Sequence, residues 1–158
     1  MSPVRKTALE YAARLLGIRA HSTGELRAKL RKKEYSGREI EDVITEFTRL
    51  GYLNDAHFAE SLCANLSERG SGKRKIFSRL RTKGIEGDLL KEVMEKHEEE
   101  LPEEDSAFAA LSRKWSSLQR EPDKRKRKEK ALRFLAGRGY SAGSAYSAWN
   151  RVTNRDPD

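Results

Sequence analysis

The residues of this chain that could do chemistry are mainly lysines and arginines, and many of them fall in two short segments. Such a density of positive charge attracts polyanions, among them phosphate backbones and acidic protein grooves. The alternative is a solvated helix face, on which long basic side chains cover apolar edges. We interpret both segments as candidate binding sites, because several like charges fall within one or two helical turns. The first, called the 73–83 cluster, contains Lys73, Arg74, Lys75, Arg79, Arg81 and Lys83; the second, called the 124–130 run, contains Lys124, Arg125, Lys126, Arg127, Lys128 and Lys130.

A milder basic group lies earlier in the chain. Its charges are fewer, and for this group we favour the solvated helix face over a binding site. Its members are Arg27, Lys29, Arg31, Lys32 and Lys33.

The residue types used in catalysis and metal binding are sparse and scattered. His21, His57 and His97 are far apart, and Cys63 is the single cysteine, so no zinc site of ordinary ligand spacing can be assembled. The glycines in residues 69–73 lack the spacing of a phosphate-binding P-loop. We therefore expect a binding protein with no enzymatic activity, no metal and no cofactor.

Composition favours a thin, extended molecule over a ball with one thick core. Of the 158 residues, 36% are hydrophobic and 37% are charged, so each helix can offer only a narrow apolar stripe. The net charge of +8 is uneven, with +4 on residues 1–53, −1 on residues 54–100 and +5 on residues 101–158. The sequence has neither a secretory signal nor an apolar run of the roughly 20 residues that span a bilayer. We expect a cytoplasmic protein, and we expect it to be a monomer.

Helical periodicity dominates the sequence, and strand signals are nearly absent. In residues 8–16 the apolar side chains recur at the i, i+3, i+4 spacing of an amphipathic helix. Ser22 with Glu25, and Ser36 with Glu39, match the capping box that opens a helix. These signals predict three helices in the first third of the chain.

One pattern of apolar residues occurs three times with identical spacing, which indicates three copies of one structural unit. Each copy covers a second helix, a short turn and a third helix. We divide the chain into unit 1 (residues 1–53), unit 2 (54–100) and unit 3 (101–158). The sequence thus predicts an all-α protein in which three tandem three-helix repeat units form an elongated array. The repeated anchors are Leu26, Leu30, Tyr35, Ile40, Val43 and Ile44; Ile76, Leu80, Ile85, Leu90, Val93 and Met94; and Ala131, Leu135, Tyr140, Ala145, Ala148 and Trp149.

Five single residues carry more local expectations. Gly84 and Gly139 stand where the second helices of units 2 and 3 end, a place that suits a left-handed residue without a Cβ. Phe77 and Tyr146 lie off the apolar register and are expected to be partly exposed, with stacking on nucleic-acid bases as an alternative role. Cys63 is expected to be a small buried hydrophobe.

Four motifs, in order along the chain, resemble the RecX family, and the likeness runs from about residue 8 to residue 152. The chain departs from the family pattern at Lys73, where many relatives have a proline, and in the density of the 124–130 run. The motifs are Ala12-x-x-Leu15-Leu16 with Ser22-x-x-Glu25-Leu26-x-x-Lys29-Leu30; Gly51-Tyr52-Leu53-Asn54-Asp55-x-x-Phe58-Ala59; Arg69-Gly70-x-Gly72 with Ile76, Leu80 and Lys83-Gly84-Ile85; and Arg133-Phe134-Leu135-x-x-Arg138-Gly139-Tyr140-Ser141.

The resemblance implies a regulator of the recombinase RecA. It implies that the chain lies along the groove of a RecA–single-stranded DNA filament and inhibits ATP hydrolysis, strand exchange and coprotease activity by RecA. Its setting would be homologous recombination, DNA repair and the SOS response. ATP in this scheme belongs to RecA, so the resemblance implies no cofactor for this chain.

Two other functions remain open at this point. A DNA-binding protein acting on single- or double-stranded DNA by itself would also use basic helices in three-helix units. Against it, the third helices are poor in charge outside unit 1, whereas a recognition helix presents several polar side chains to base edges. A generic helical-repeat adaptor is the third alternative.

Overall fold

The computed structural model describes residues 6–156, and within this range the chain forms nine α-helices and no strand. The helices follow one another in threes, which confirms the predicted all-α array of tandem three-helix units. The limits of the units at 53/54 and 100/101 stay a prediction. The helices are α1 (Ala8–Ile18), α2 (Thr23–Lys32), α3 (Gly37–Arg49), α4 (Asp55–Glu68), α5 (Lys73–Thr82), α6 (Gly87–Glu100), α7 (Glu103–Leu118), α8 (Lys124–Gly137) and α9 (Ala142–Arg155).

Side-chain caps start α2 and α3 where the sequence predicts them. The hydroxyl of Ser22 accepts a hydrogen bond from the Glu25 backbone N–H at 3.0 Å, and the Glu25 carboxylate accepts one from the Ser22 N–H at 3.3 Å. Ser36 and Glu39 form the same reciprocal pair. Each box satisfies two backbone donors that a helix start would otherwise leave unpaired.

Each unit buries its own hydrophobic core, built from one stripe on each of its three helices. Of the eighteen repeated anchors, seventeen are buried, and the remaining one, Tyr35, is half-buried. Unit 3 adds an edge-to-face pair of Trp115 and Trp149, whose ring centroids lie 5.6 Å apart. Cys63 is 1% exposed, as expected of a buried hydrophobe. The spacing that is repeated in the three units therefore identifies residues that are buried in the core of each unit.

The molecule exposes more surface than a compact protein of its mass. Its accessible area is 10291 Å², whereas a compact monomer of 18.1 kDa would expose about 8100 Å². The excess follows from cores that are separate, with each closely packed helix pair belonging to a single unit. None of the described helices combines the length and the apolar character needed to cross a membrane.

Neighbouring units meet through one contact that is repeated. At the unit 1–2 junction, the Ser22 hydroxyl at the start of α2 donates to the carbonyl of Lys83 in the turn between α5 and α6. At the unit 2–3 junction, Gly72 N–H at the start of α5 donates to the Arg138 carbonyl in the turn between α8 and α9, at 2.8 Å. Each junction thus sets the start of a second helix against the following unit's second turn.

The second turns differ in the residue that takes the left-handed conformation. Gly84 and Gly139 have φ of 81° and 91°, as predicted, and both are pressed against the preceding unit. A Cβ on Gly139 would lie 2.7 Å from the Cβ of Lys75, closer than such atoms pack. Unit 1 has Glu34 at this place, with φ of 61°. A non-glycine residue is tolerated there since no described unit precedes unit 1.

Candidate binding surfaces

The 73–83 cluster lies on α5, which opens without any of the usual supports of a helix start. Its N-cap, Gly72, has no side-chain hydrogen bond, and its first turn has no acidic residue. The backbone N–H of Lys73 donates instead to the Glu103 carboxylate at 3.2 Å. α5 begins at Lys73, the residue at which the chain departs from the pattern that the RecX resemblance implies.

The basic residues of α5 divide between two flanks of the helix. At 100° per residue, Arg74 and Arg81 fall beside Phe77, while Lys75 and Arg79 point the opposite way. All four basic side chains are exposed. Among the described residues, none of the four forms a salt bridge, although the Arg74 guanidinium donates to the carbonyl of Ala136 at 3.2 Å.

Lys83 differs from the rest of the 73–83 cluster because its charge is used inside the molecule. Its ammonium group lies 2.7 Å from the carboxylate of Glu25 across the unit 1–2 junction, and Arg19 reaches the same carboxylate at 3.1 Å. Burial alone would raise the pKa of Glu25, but hydrogen bonds from Arg19 and Lys83 outweigh it and lower the pKa to about 2. Lys83 therefore fastens two units together.

The 124–130 run lies on α8, and the structure separates its members in the same way. Arg127 is only 6% exposed and its Nε donates to the Glu121 carbonyl at 3.0 Å. Lys130 pairs with the Glu121 carboxylate at 2.9 Å. The Lys128 ammonium lies 5.1 Å from the ring centroid of Tyr146. The side chains that remain directed to solvent are Lys124, Arg125 and Lys126.

Both basic segments place positive charges at the N-terminus of a helix, where the helix dipole disfavours them. The N-terminus carries the positive end of the helix dipole, so each lysine or arginine there costs about 0.3–1 kcal/mol when exposed. Six of the nine described helices have an acidic residue in the first turn, and α5 and α8 instead begin with three consecutive basic residues. The equivalent helix of unit 1, α2, has Glu25 in its first turn. A carboxylate already lies at each of these helix starts, since Glu103 accepts a hydrogen bond from the Lys73 N–H and Asp123 accepts hydrogen bonds from the Arg125 and Lys126 N–H groups. The exposed basic side chains beside each carboxylate still form a local excess of positive charge, which favours an anionic partner.

The two basic segments are separate patches. Arg74 contacts Ala136, near the C-terminal end of α8, while the 124–130 run occupies the N-terminal end of that helix. At 1.5 Å per residue, Lys124 and Ala136 are about 18 Å apart along the axis. Any single partner that binds both patches must therefore be extended.

A groove between units 2 and 3 is a further surface, and sequence reasoning missed it. It encloses about 1010 Å³ between α5, α6 and the turn before α9. Phe77, partly exposed as predicted at 42%, forms its floor with Leu90 and Met94. The exposure of Phe77 was the available signal, but the groove walls come from different units and carry no common sequence pattern. The charged residues of the walls are Lys73, Arg74, Lys91, Glu95, Glu98, Glu99 and Glu103.

The side chains that could serve in catalysis are not assembled. The Cys63 thiol is buried, and burial raises its pKa to about 11, so it is protonated at neutral pH. His21 is buried with its Nδ1 3.0 Å from the Arg19 carbonyl, and burial lowers its pKa. The described part of the chain has no group of three residues able to hold a metal ion. The burial of Cys63 and His21 is typical of residues that stabilise a fold.

Three family models match consecutive parts of this chain. They are described as the first, second and third three-helix domains of RecX, and they cover residues 8–47, 54–94 and 102–149. The chain belongs to the RecX family. The resemblance of its four motifs to RecX proteins is thereby confirmed.

Individual RecX proteins match over most of their length. The chain is 33% identical to the regulatory protein RecX of Deinococcus radiodurans over 153 residues, which are 97% of this chain and 72% of that one. It is 36% identical to the regulatory protein RecX of Pelodictyon phaeoclathratiforme over 142 residues, or 89% and 86%. The crystal structure of RecX from Lactobacillus salivarius superposes with a TM-score of 0.77 at 17% identity, covering 92% of this chain and 94% of that one.

The RecX comparisons establish the general class of the protein, a regulatory protein. The matching relatives are regulatory proteins, and this RecX-family chain is placed with them as a regulator. The crystal structure, at its low identity, shows a common fold of three helical units.

Proposed function

We propose that this chain binds RecA–single-stranded DNA filaments and inhibits the ATPase, strand-exchange and coprotease activities of RecA. The observation that carries the proposal is the start of α5 and α8, where three consecutive exposed basic residues open the helix and no acidic residue lies in the first turn. One carboxylate lies at each helix start, Glu103 at α5 and Asp123 at α8, and the remaining excess of positive charge would be neutralised by an anionic surface. The choice of RecA filaments as the partner follows from membership of the RecX family.

The contact residues of this proposal are exposed basic side chains that form no salt bridge with another element; the one ion pair among them, Arg125 with Glu129 at 3.5 Å, lies on the surface of α8. Lys83, Arg127 and Lys130 have internal partners, and Lys128 lies over Tyr146. We therefore assign these four residues a role in stabilising the fold. The residues that we assign to the filament contact are Lys73, Arg74, Lys75, Arg79, Arg81, Lys124, Arg125 and Lys126.

The extended shape supports a filament as the partner. Two patches about 18 Å apart along α8 can reach different subunits of a helical assembly at once. Simultaneous contacts raise the effective concentration of each patch at its site, so affinity exceeds that of either patch alone. In this proposal the chain acts in the cytoplasm as a monomer, in the regulation of homologous recombination, DNA repair and the SOS response.

The deciding experiment is the single-stranded-DNA-dependent ATPase rate of RecA during titration with this protein, with DNA in excess. We expect inhibition at fewer than one protein per RecA subunit, because a filament contact acts without coating the DNA. Inhibition only at amounts that coat the DNA, or no inhibition, would overturn the proposal.

Direct DNA binding is a second candidate, and one observation favours it. Lys128 lies over the ring of Tyr146, which is 49% exposed beside the 124–130 run, and exposed aromatics next to cations suit nucleic-acid bases. Replacing Lys124, Arg125 and Lys126 with alanine should then lower the log–log salt slope of duplex binding by about 0.9 per lost phosphate contact. Because Lys130 pairs with Glu121, its replacement should leave the slope nearly unchanged. Equal slopes for the wild type and the triple variant would remove this candidate.

A further inference from the structure

We propose that the groove between units 2 and 3 is a docking site for a protein segment that presents an apolar side chain next to lysine or arginine residues. The inference rests on the proposed function, since the segment would belong to a subunit of the bound filament. It assigns to this surface a different partner chemistry from that of the basic segments, which would bind anionic groups.

The floor of the groove is apolar and open. Phe77 is exposed over 42% of its surface, and Leu90 and Met94 reach the groove from the core of unit 2. A volume of about 1010 Å³ is comparable to sites that take a small molecule or a few side chains. Covering Phe77 removes apolar area from water and so favours association.

The charges of the groove select the occupant. Glu95 and Glu99 are one turn apart on α6 and line the groove with the carboxylate of Glu98, which accepts a hydrogen bond from the Glu103 N–H at 3.2 Å. Lys91 lies on the same wall, with its ammonium group 4.0 Å from the Glu95 carboxylate, but the three carboxylates outnumber it. This acidic excess repels the phosphates of nucleic acid and attracts basic side chains. Lys73 and Arg74 border the opposite side. A peptide can match both walls, whereas a polyanion can match only one.

The corresponding positions of unit 1 are joined by an ion pair. In the 50-residue register, Phe77 and Lys91 of unit 2 correspond to Arg27 and Glu41 of unit 1. There the two side chains form a two-pronged ion pair with N–O distances of 2.8 and 3.2 Å. Unit 2 has an exposed aromatic ring, Phe77, and a lysine at these two positions instead of the ion pair.

The walls of the groove are held in place before any partner arrives. Glu103 at the start of α7 accepts hydrogen bonds from the hydroxyls of Ser141 and Ser144, both at 2.9 Å, and from the backbone N–H of Lys73 at 3.2 Å. One carboxylate therefore joins α5, α7 and α9 at the edge of the groove. A preformed site loses less conformational entropy on binding than one that must be ordered.

The test copies the unit 1 ion pair into unit 2. The double variant Phe77→Arg and Lys91→Glu should close the groove and weaken binding to RecA filaments on oligo(dT) by about tenfold or more, as expected for the loss of one buried aromatic contact. Lys91→Glu alone keeps Phe77 and makes the wall of the groove more acidic, so it should not weaken binding. Ile18→Arg, at a site 71% exposed on α1, controls for an apolar-to-arginine change elsewhere and should bind within about twofold of the wild type.

The outcomes separate this inference from the proposed function. If the double variant binds as well as the wild type while alanines at the 73–83 cluster weaken binding, the groove is not a docking site and the filament contact stands. If the wild type does not bind the filament, both fail. A photoreactive benzophenone side chain at position 77 gives an independent result. Cross-links to RecA support the inference, and cross-links to the oligo(dT) overturn it.

Discussion

The two junctions between units use one geometry and different chemistry. At the unit 1–2 junction, side chains make the attachments, with Glu25 bound by Lys83 and Arg19. At the unit 2–3 junction no salt bridge crosses between the described residues, and backbone bonds join Gly72 to Arg138 at 2.8 Å and Arg74 to Gly139 at 3.2 Å. Guanidinium groups of Arg74, Arg113 and Arg138 add hydrogen bonds to backbone carbonyls across it. The side chains of Lys73, Lys75 and Arg79 stay exposed there. We therefore propose that the second junction carries a binding surface and that the first is mainly structural.

The largest effect should come from a methyl group placed at each junction in turn. A Cβ on Gly72 would lie 2.4 Å from the backbone of Gly139 and Tyr140, so Gly72→Ala must separate units 2 and 3. We expect a loss of about 1–3 kcal/mol in the free energy of unfolding, measured by urea denaturation. In Gly24→Ala the new Cβ lies 3.0 Å from Cα of Gly84, and the gain in helix propensity offsets part of the smaller clash. Equal losses would show that the junctions are equally tight.

The next effect should be on binding and not on folding. Replacing Lys73, Arg74, Lys75 and Arg79 with alanine keeps the backbone donors of the unit 2–3 junction and removes its exposed charges. Affinity for RecA filaments should fall by about tenfold at moderate salt, and helical content by circular dichroism should not change.

The matched control for the quadruple variant lies on the equivalent helix of unit 1 and its following turn. Alanine at Lys29, Arg31, Lys32 and Lys33 removes the same formal charge from unit 1. Lys29 lies 3.1 Å from the His21 Nε2 and the Lys33 ammonium 5.8 Å from the ring centroid of Tyr11, so the helical content of this variant is checked by circular dichroism as well. Binding should fall by no more than about twofold. An equal loss from both quadruple variants would mean that net charge, and not the junction surface, determines affinity.

The smallest effect should be a change in pH dependence confined to the unit 1–2 junction. The pKa of Glu25 is about 2 in the folded chain, below its ordinary value of 4.5, so the unfolded chain binds the proton more readily. Its stabilisation is therefore complete above pH about 4.5 and is lost as the pH falls towards 2. Glu25→Gln should cost about 1 kcal/mol at pH 7, since Arg19 and Lys83 are partly exposed.

Comparison of the unfolding free energies of Glu25→Gln and the wild type between pH 6 and pH 2.5 checks this assignment. The difference between them should shrink as Glu25 takes up its proton. A difference that is constant with pH would show that the carboxylate charge does not hold units 1 and 2 together.

The fold could be predicted from the sequence because its signals are local. The spacing of Leu26, Leu30 and Ile40, repeated at Ile76, Leu80 and Leu90, reports which face of each helix is buried. Capping boxes such as that of Ser36 and Glu39 report where helices begin. The partial exposure of Phe77 could also be predicted, because this residue lies outside the repeated apolar spacing.

The candidate sites could be predicted only in part, since their final form depends on contacts distant in sequence. Lys83 looked equivalent to Arg79, but Glu25, 58 residues away, takes up its charge. Arg127 looked like its neighbours, but the turn at Glu121 folds back over it. A run of basic residues gives the position of a charged helix and not the direction of each side chain.

Glu34 limits how far the repeated contact can extend. A second copy that set the start of a second helix against this turn would meet the side chain of Glu34, where the two corresponding turns have Gly84 and Gly139. Arg127 stands where Gly72 stands in unit 2, inside the additional first turn of α8. Head-to-tail polymerisation through this contact is therefore disfavoured at both of the surfaces that it would use.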